Sequence, residues 1–326
     1  MHTGMPEHPL HLIADIGGTH ARFALCTSVR DIDRISVLAV ADFPTLELAI
    51  SHYLDKNGKP PVKHAIIAIA NPILGDHVKM TNFPWEFSID ATRKSLGFEK
   101  LKVVNDFTAL AMALPHLPPH ELLAVGGGHA VPGTPLGLLG PGTGLGVSAL
   151  IPAPKGVWLP LAAEGGHTSF APCDEDELML WHDARQQFGH VSTERLVSGP
   201  GLQFIYRRLC LRAGATAHDY TPADISHRAI SNACAICREA LDTFCAILGT
   251  AASNLAVTLG ARGGIFIGGG IIPKLGDYFL TSPFRARFND KGRFADYLAA
   301  IPVFVITTSY PGLLGAAAGL DTYANE

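Results

Sequence analysis

The sequence predicts a two-lobed α/β protein, with mixed sheets flanked by helices and a cleft between the lobes. Three observations carry this expectation. Three hairpin-linked strand patterns open the chain and give way to alternating helices and strands, which indicates a mixed sheet with helices on its faces. A proline-rich breaker, "PHLPPH" at 115–120, then interrupts the pattern. After it the order of elements partly restarts, with "GLLGPGTGLGVSALI" echoing "LIADIGGTHARFAL" as strand, Gly/Thr-rich turn, strand.

Taken in order, the opening strands are "LHLIADI", "ARFALC" and "RISVLAV". A helical pattern follows at Leu46 to Leu54, then a strand "HAIIAIA" and a short helix near Asp90 to Leu96. The strand "LKVVN" runs directly into the helical "DFTALAMAL". Beyond the breaker, a third strand "VWLPL" follows the echoed hairpin, and a charged helix follows Asp174. A long helical pattern comes next, with Ile225, Ala229, Ile236, Ala240, Phe244, Ile247, Leu248 and Ala251 mostly three or four apart. "CAIC" at 234–237 falls inside that pattern and has no second ligand pair at matching spacing, so it reads as structural cysteine rather than a zinc site. The strands "GGIFIGG" and "VFVITT" and a small-residue helix, "GLLGAAAGLDTYA", complete the chain.

Composition bounds the function. With 326 residues, 48% hydrophobic and 17% charged, the chain can bury a large core divided between two lobes. A net charge of −4 argues against an extended nucleic-acid face. Mean hydropathy is +0.23, yet no run approaches the roughly 20 apolar residues of a spanning helix. The most apolar stretch, "CAILGTAASNLAVTLGA", carries Thr250, Ser253, Asn254 and Thr258 and suits a buried helix. "MHTGMPEHPLHL" shows no secretory signal. The expectation is a cytoplasmic protein with no membrane or nucleic-acid partner, its six cysteines reduced and buried.

The chemistry lies in the turns. "ADIGGTH" has only Gly17 and Gly18 and is followed by a strand, so a dinucleotide fingerprint fails on context. A bare two-residue hairpin and a phosphate-binding turn both fit it. Asp15 and Thr19 bracket the glycines with Arg22 nearby, and Asp15 could hold Mg²⁺ through water. The second turn, "GPGTGLG", offers Gly142, Thr143 and Gly144 at the equivalent place in the other lobe, suggesting that both grip one polyphosphate. "GGG" at 268–270 ends a strand before "IIPKL", as a tight strand-to-helix connection or as close approach to a flat nucleoside base. Asn105-Asp106 ends a buried strand and starts a helix; one residue suffices as a cap, leaving Asp106 able to accept a hydroxyl proton. Glu164 and His167 frame Gly165-Gly166, while Glu194 and Asn82 supply further polar groups. Carboxylates and carboxamides without a cationic cluster suit a neutral polyol.

Together the motifs resemble bacterial glucokinases, the ATP-dependent type within the hexokinase, actin and Hsp70 superfamily. The matching pieces are "ADIGGTHARFAL", "MTNFPWEFSI", "VVNDFTALAMALP", "GPGTGLGVSAL", "EGGHTSFAP", "ERLVSGPGL", "GGIFIGGGIIPKL", "FNDKGRF" and "PGLLGAAAGL", in the family's order from about 12 to 320. The resemblance implies an actin-like (ribonuclease H-like) ATPase fold, with a small lobe of 1–115 plus 312–326 and a large lobe of 116–311. It implies transfer of the γ-phosphoryl of MgATP to the 6-hydroxyl of glucose, with Asp106 as catalytic base. Asn82, Asn105, Asp106, Glu164, His167 and Glu194 would surround the sugar. Ala14, Asp15, Ile16, Gly17, Gly18 and Thr19 would form the first phosphate loop, with Asp15 toward Mg²⁺. Gly142, Thr143 and Gly144 would form the second, and Gly269 and Gly270 would lie near the adenosine. A cytoplasmic homodimer is the family's usual state. Two departures stand out: His20 replaces a common Asn, and "TSFAPCDEDE" lacks the cysteine-rich zinc motif of the repressor/open-reading-frame/kinase branch. A kinase for mannose or fructose is the nearest alternative, and an actin- or Hsp70-like ATPase module a more distant one.

Overall fold

The opening strand patterns pair as an antiparallel ladder. In the computed structural model, which describes residues 9–81 and 83–323, it comprises β1 (His11–Ile16), β2 (His20–Ser28) and β3 (Asp31–Ala39). α1 (Leu46–Lys56) starts at Thr45, whose hydroxyl accepts from the Leu48 N–H, and it buries Leu46, Ala49, Ile50 and Tyr53. β4 (His64–Ile69) adds parallel to β1. A small ribbon of β5 (His77–Lys79) and β6 (Glu86–Ser88) leads into α2 (Ile89–Ser95). β7 (Lys100–Asn105) then adds parallel to β4 and passes into α3 (Asp106–Ala113). The sheet order is β3-β2-β1-β4-β7. Leu12, Ile13, Ala14 and Ile16 of β1 are fully buried, so this central strand reads as an apolar run rather than an alternation. Edge strand β3 is largely exposed and carries Asp31, Asp33 and Arg34, charges that discourage pairing with another chain.

Internal packing divides the chain into two units. One takes in the described part of Met1–Pro118 together with Ala153–Ala162 and Thr308–Glu326; the other takes in Pro119–Pro152 and Ala163–Thr307. "PHLPPH" forms parts of two 3-10 turns, Leu114–His116 and Pro119–Glu121, and the division falls between Pro118 and Pro119.

After the breaker come β8 (Leu122–Ala124), β9 (Leu136–Pro141), β10 (Leu145–Pro152) and β11 (Trp158–Ala163). The helices α4 (Glu175–Phe188), α5 (Gly199–Arg212), α6 (Pro222–Ile230) and α7 (Ala235–Leu259) follow. β12 (Gly264–Ile267), the short α8 (Asp277–Thr281), α9 (Phe284–Asn289) and α10 (Ala295–Ala299), and β13 (Val303–Ile306) complete the series. Within the second unit the sheet order is β10-β9-β12-β13-β8. β9 and β10 form a hairpin, and β12 and β13 add parallel beside β9. The run β10-β9-β12-β13 thus repeats β2-β1-β4-β7, and the echo read in the sequence is a repeat of topology.

Several expectations change. The single helical pattern from Ile225 to Ala251 is two helices, α6 and α7, broken where Asn232 takes φ +54° and Cys234 turns extended. The apolar spacing ran through the break because Ile225 and Ala229 of α6 and Cys237, Ala240 and Leu241 of α7 bury into one core. Cys234 caps α7 rather than lying within it. α7 is long and apolar enough to cross a membrane, but 67% of its most apolar window is buried in the protein. The triple glycine leads into a 3-10 turn, Ile272–Leu275, not an α-helix. α5 was hidden by "SGPGL": Ser198 caps it, accepting from the Gly201 N–H at 3.1 Å, and a proline is tolerated in the first turn. Of the cysteines, Cys173 is exposed and Cys234 half-buried, and all six are free thiols.

Two packing constraints lend themselves to test. In the first unit the Pro311–Thr322 helix meets α3 backbone to backbone, because a Cβ on Gly315 would stand 1.8 Å from the Ala109 carbonyl oxygen. Gly315→Ala gains about 1 kcal/mol of helix propensity but overpacks by about 1–3 kcal/mol or more. The expected result is a lower urea midpoint; a higher one would show that the helices are not held this close. In the second unit Glu177 is buried, and Arg287 Nη1 donates to its Oε1 at 2.6 Å. Burial pushes the Glu177 carboxyl pKa up, while the Cys173 N–H and Arg287 oppose the shift. Arg287→Ala should cost about 3–5 kcal/mol near neutrality. With its folded pKa raised, the orphaned carboxyl is best tolerated when protonated, so the deficit should shrink as pH falls toward about 4. Denaturation midpoints across that range check the trend.

Candidate active site

Asp15 lies near the end of the buried run of β1, and the antiparallel register sets Arg22 directly across from it on β2. Arg22 Nη1 donates to Asp15 Oδ2 at 3.1 Å. Burial pushes the Asp15 carboxyl pKa up, and the guanidinium pulls it back. The first turn of the Pro311–Thr322 helix packs on the same carboxylate, for a Cβ on Gly312 would stand 2.8 Å from Asp15 Cγ. A guanidinium and a helix N-terminus both favour an anion at this position.

The turn runs through Gly17, Gly18 and Thr19. Gly17 N–H donates to the His20 carbonyl at 3.0 Å, and the Thr19 carbonyl accepts from Val40 N–H at 3.0 Å. Among the described residues, the N–H groups of Gly18 and Thr19 have no partner. Neither glycine has positive φ, and a Cβ on Gly17 would meet nothing closer than 3.6 Å. A type I′ hairpin needs positive φ at both central residues, so turn geometry does not explain this glycine pair. The turn leaves two successive N–H donors, those of Gly18 and Thr19, uncovered, as an anion-binding turn requires.

The strand order β1-β4-β7, all parallel, puts Asn105 and Asp106 at the same end of the first unit's sheet as the Asp15 turn. Asn105 is the cap of α3, its Oδ1 accepting from the N–H groups of Phe107 at 2.9 Å and Thr108 at 3.1 Å. Asp106 Oδ1 accepts from Asn105 Nδ2 at 3.0 Å and from Phe107 N–H at 2.9 Å. The pair therefore divides the work: Asn105 caps and also orients the carboxylate of Asp106. Asn71, two residues beyond β4, went unread in the sequence. Its Oδ1 accepts from Thr81 N–H at 2.9 Å, and its Nδ2 donates to the Lys79 carbonyl at 3.0 Å. It anchors the segment leading to Asn82, which itself lies outside the described residues. Its only signal in the sequence is a carboxamide just past a buried strand.

In the second unit, Gly142 N–H donates to the Gly144 carbonyl at 2.8 Å and closes the turn. Among the described residues, Thr143 and Gly144 N–H have no partner, matching Gly18 and Thr19. The next peptide organises the rest. Leu145 N–H donates to Glu194 Oε2 at 2.8 Å, and a Cβ on Gly166 would stand 2.1 Å from the Leu145 carbonyl oxygen. Thr193 N–H donates to the Thr168 carbonyl at 2.9 Å, joining the 3-10 turns Gly165–His167 and Thr193–Arg195. Glu164, His167 and Glu194 are thereby gathered beside the Gly142–Gly144 turn. Glu164 and His167 are exposed, so neither is a core residue satisfied by its neighbours.

The third glycine run joins them. Gly269 has φ +80°, and a Cβ there would stand 2.4 Å from the Pro141 carbonyl oxygen, so glycine is required twice over. A Cβ on Gly270 would meet nothing, while the nearest atom to one on Gly142 is the Gly270 nitrogen at 4.0 Å. Thr143 and Glu194 also border a cavity of about 380 Å³ whose wall includes Gln203 and Arg207. No motif marked these two; they face it together because they lie one turn apart on α5.

Comparison with known proteins identifies the family. The family model described as "Glucokinase" matches residues 12–323. A curated glucokinase of Chromobacterium violaceum is 56% identical over 320 residues, covering 98% of this chain and 92% of that one. One from Neisseria meningitidis is 52% identical over 312 residues, covering 96% and 95%. The crystal structure of a glucokinase from an Antarctic psychrotroph matches with a TM-score of 0.87 at 37% identity, covering 96% of this chain and 99% of that one. A ROK family glucokinase from Streptomyces griseus, solved with glucose and AMPPNP, has a TM-score of 0.64 at 18% identity and shares the fold. With a family model matched from residue 12 to residue 323 and relatives more than half identical along its length, the chain belongs to the glucokinase family.

Proposed function

We propose that the protein transfers the γ-phosphoryl of MgATP to the 6-hydroxyl of glucose, giving glucose 6-phosphate and ADP, with the residues in the following roles. The observation that carries the assignment is the matched pair of glycine turns, each closed by its first N–H and each leaving the next two uncovered. The first turn, Ala14 to Thr19, and the second, Gly142 to Gly144, bind the phosphates; Gly269 and Gly270 accept the adenosine. Asn82, Asn105, Asp106, Glu164, His167 and Glu194 hold the sugar hydroxyls. Asp106 is the base: its carboxylate, fixed through Oδ1 by Asn105 and the Phe107 N–H, takes the proton of the 6-hydroxyl as that oxygen attacks phosphorus. Phosphoryl transfer asks the protein mainly for positioning and charge stabilisation, which oriented N–H groups supply.

Asp15 fits a magnesium ion held through water. It is one oxygen-donor carboxylate, and among the described residues no three His, Cys, Asp or Glu side chains form a cage, as suits an ion that keeps its waters and binds substrate phosphates. When bound, the ion would neutralise charge on the phosphates. The sheet orders support an actin-like, ribonuclease H-like reading of the two units, and with it lobes of 1–115 plus 312–326 and of 116–311. We read the enzyme as a cytoplasmic homodimer.

ADP release measured over glucose, mannose and fructose tests the assignment. Glucose should give the highest kcat/KM, and a clear preference for another hexose would overturn the substrate. Asp106→Asn should lower kcat by about 10²–10⁴-fold with little change in sugar binding; near-normal turnover would remove Asp106 as base. Glu164→Ala should raise the KM for glucose several-fold while leaving the ATP KM unchanged. An unaltered glucose KM would take Glu164 out of the sugar site.

A further inference from the structure

The relocation of "CAIC" from the middle of a helix to the start of one changes its chemistry. Cys234 is the N-cap of the 25-residue α7, and its Sγ accepts from the Cys237 N–H at 3.3 Å. Cys237 stands three residues along, buried, and its N–H lies on the Cys234 sulfur. Cys234 is half-buried, and Ser231, Asn232, Ala233 and Ala235 around it are exposed, whereas Cys237 is buried, so the pair has one cysteine toward solvent and one in the core. We propose that Cys234 and Cys237 form a thiol–disulfide redox site, in which Cys234 attacks a low-molecular-weight disulfide from solvent, such as oxidised glutathione, and Cys237 resolves the adduct.

The cap position favours this assignment over two inert thiols. Burial works against a Cys234 thiolate, but the N–H of Cys237, the Cys237 thiol, the N–H of Ile236 and the nearby Arg228 charge outweigh it and hold the pKa below the ordinary thiol value. Cys237 is the opposite case. Burial first, and the adjoining Cys234 sulfur after it, push its thiol up to about 12. A more acidic, half-buried thiol beside a less acidic, buried one is the asymmetry that lets one sulfur attack and the other resolve. In the first step the Cys234 thiolate attacks one sulfur of the reagent, forming a mixed disulfide and expelling one glutathione thiolate. In the second, Cys237 gives its proton to solvent, its sulfur attacks Cys234, and the second glutathione leaves as thiolate. The protein loses two electrons and the reagent gains them, so the sum is one dithiol plus one disulfide giving one protein disulfide and two thiols. With Cys237 so weakly acidic, the second step is the slower, and the mixed disulfide accumulates before the bridge closes.

The full chain, incubated with oxidised glutathione and then alkylated, tests this by peptide mass mapping. The expected product is a Cys234–Cys237 bridge preceded by a Cys234–glutathione adduct, both reversed by dithiothreitol. In Cys237→Ala, which trims a buried side chain without adding a polar group, the adduct should persist and no bridge form. In Cys234→Ser, which keeps a side-chain acceptor at the cap, Cys237 should stay unmodified. Circular dichroism establishes that both variants are folded. An unmodified Cys234 in the folded wild-type chain overturns the proposal, as does a bridge between Cys237 and the nearby buried Cys210.

Discussion

The peptide group of Leu145 is the interaction on which the second unit's site depends. Its N–H is held by Glu194, and its carbonyl lies against Gly166 with no room for a side chain. One peptide thereby fixes the end of the Gly142–Gly144 turn, the Glu164–His167 turn and Glu194, which unlike Glu164 and His167 is not exposed. Glu194 consequently has two duties. One carboxylate oxygen secures the hairpin, so a change there loosens the Gly142–Gly144 turn as well as whatever contact Glu194 itself makes. Backbone contact of this kind transmits position more rigidly than side-chain packing, because neither partner has a rotamer to adjust.

The first unit reaches a similar result by charge. Asp15 sits between a cross-strand arginine and the start of the terminal helix, and the turn beside it is closed by a single backbone hydrogen bond. The opposed influences on its carboxyl leave a group that a cation or a change in the position of Arg22 can tip. The two hairpins are equivalent in topology and in their uncovered donors, yet one is braced by an ion pair across strands and the other by a carboxylate on a backbone N–H together with a close peptide contact.

Caps recur as the places where a structural duty and a chemical one share residues. Asn105 terminates the backbone of α3 and at once orients Asp106. Cys234 terminates α7 and in doing so acquires donors that favour its thiolate. In each case open N–H groups at a helix start are satisfied by a side chain that also has a second part to play.

Much was legible in the residues themselves. Apolar runs bounded by glycine turns specify the parallel strands, and the restart after "PHLPPH" specifies a repeated order, because burial on both faces leaves few other ways to write such strands. Asn105-Asp106 stood out since polar residues at the end of a buried strand are expensive without a purpose, and Glu164 and His167 because they flank a glycine pair. What local pattern could not supply was anything decided by a distant partner. The α6–α7 break was invisible because both helices feed one core in phase; Asn71 and Glu194 bond to segments 10 and 49 residues away. The sequence by itself determined which segments form strands and where glycine turns and acids fall along them, for these follow from neighbours in the chain. The tertiary structure alone decided which N–H groups stay uncovered and whether a cysteine lies inside a helix or at its start, because each depends on which peptide happens to stand opposite.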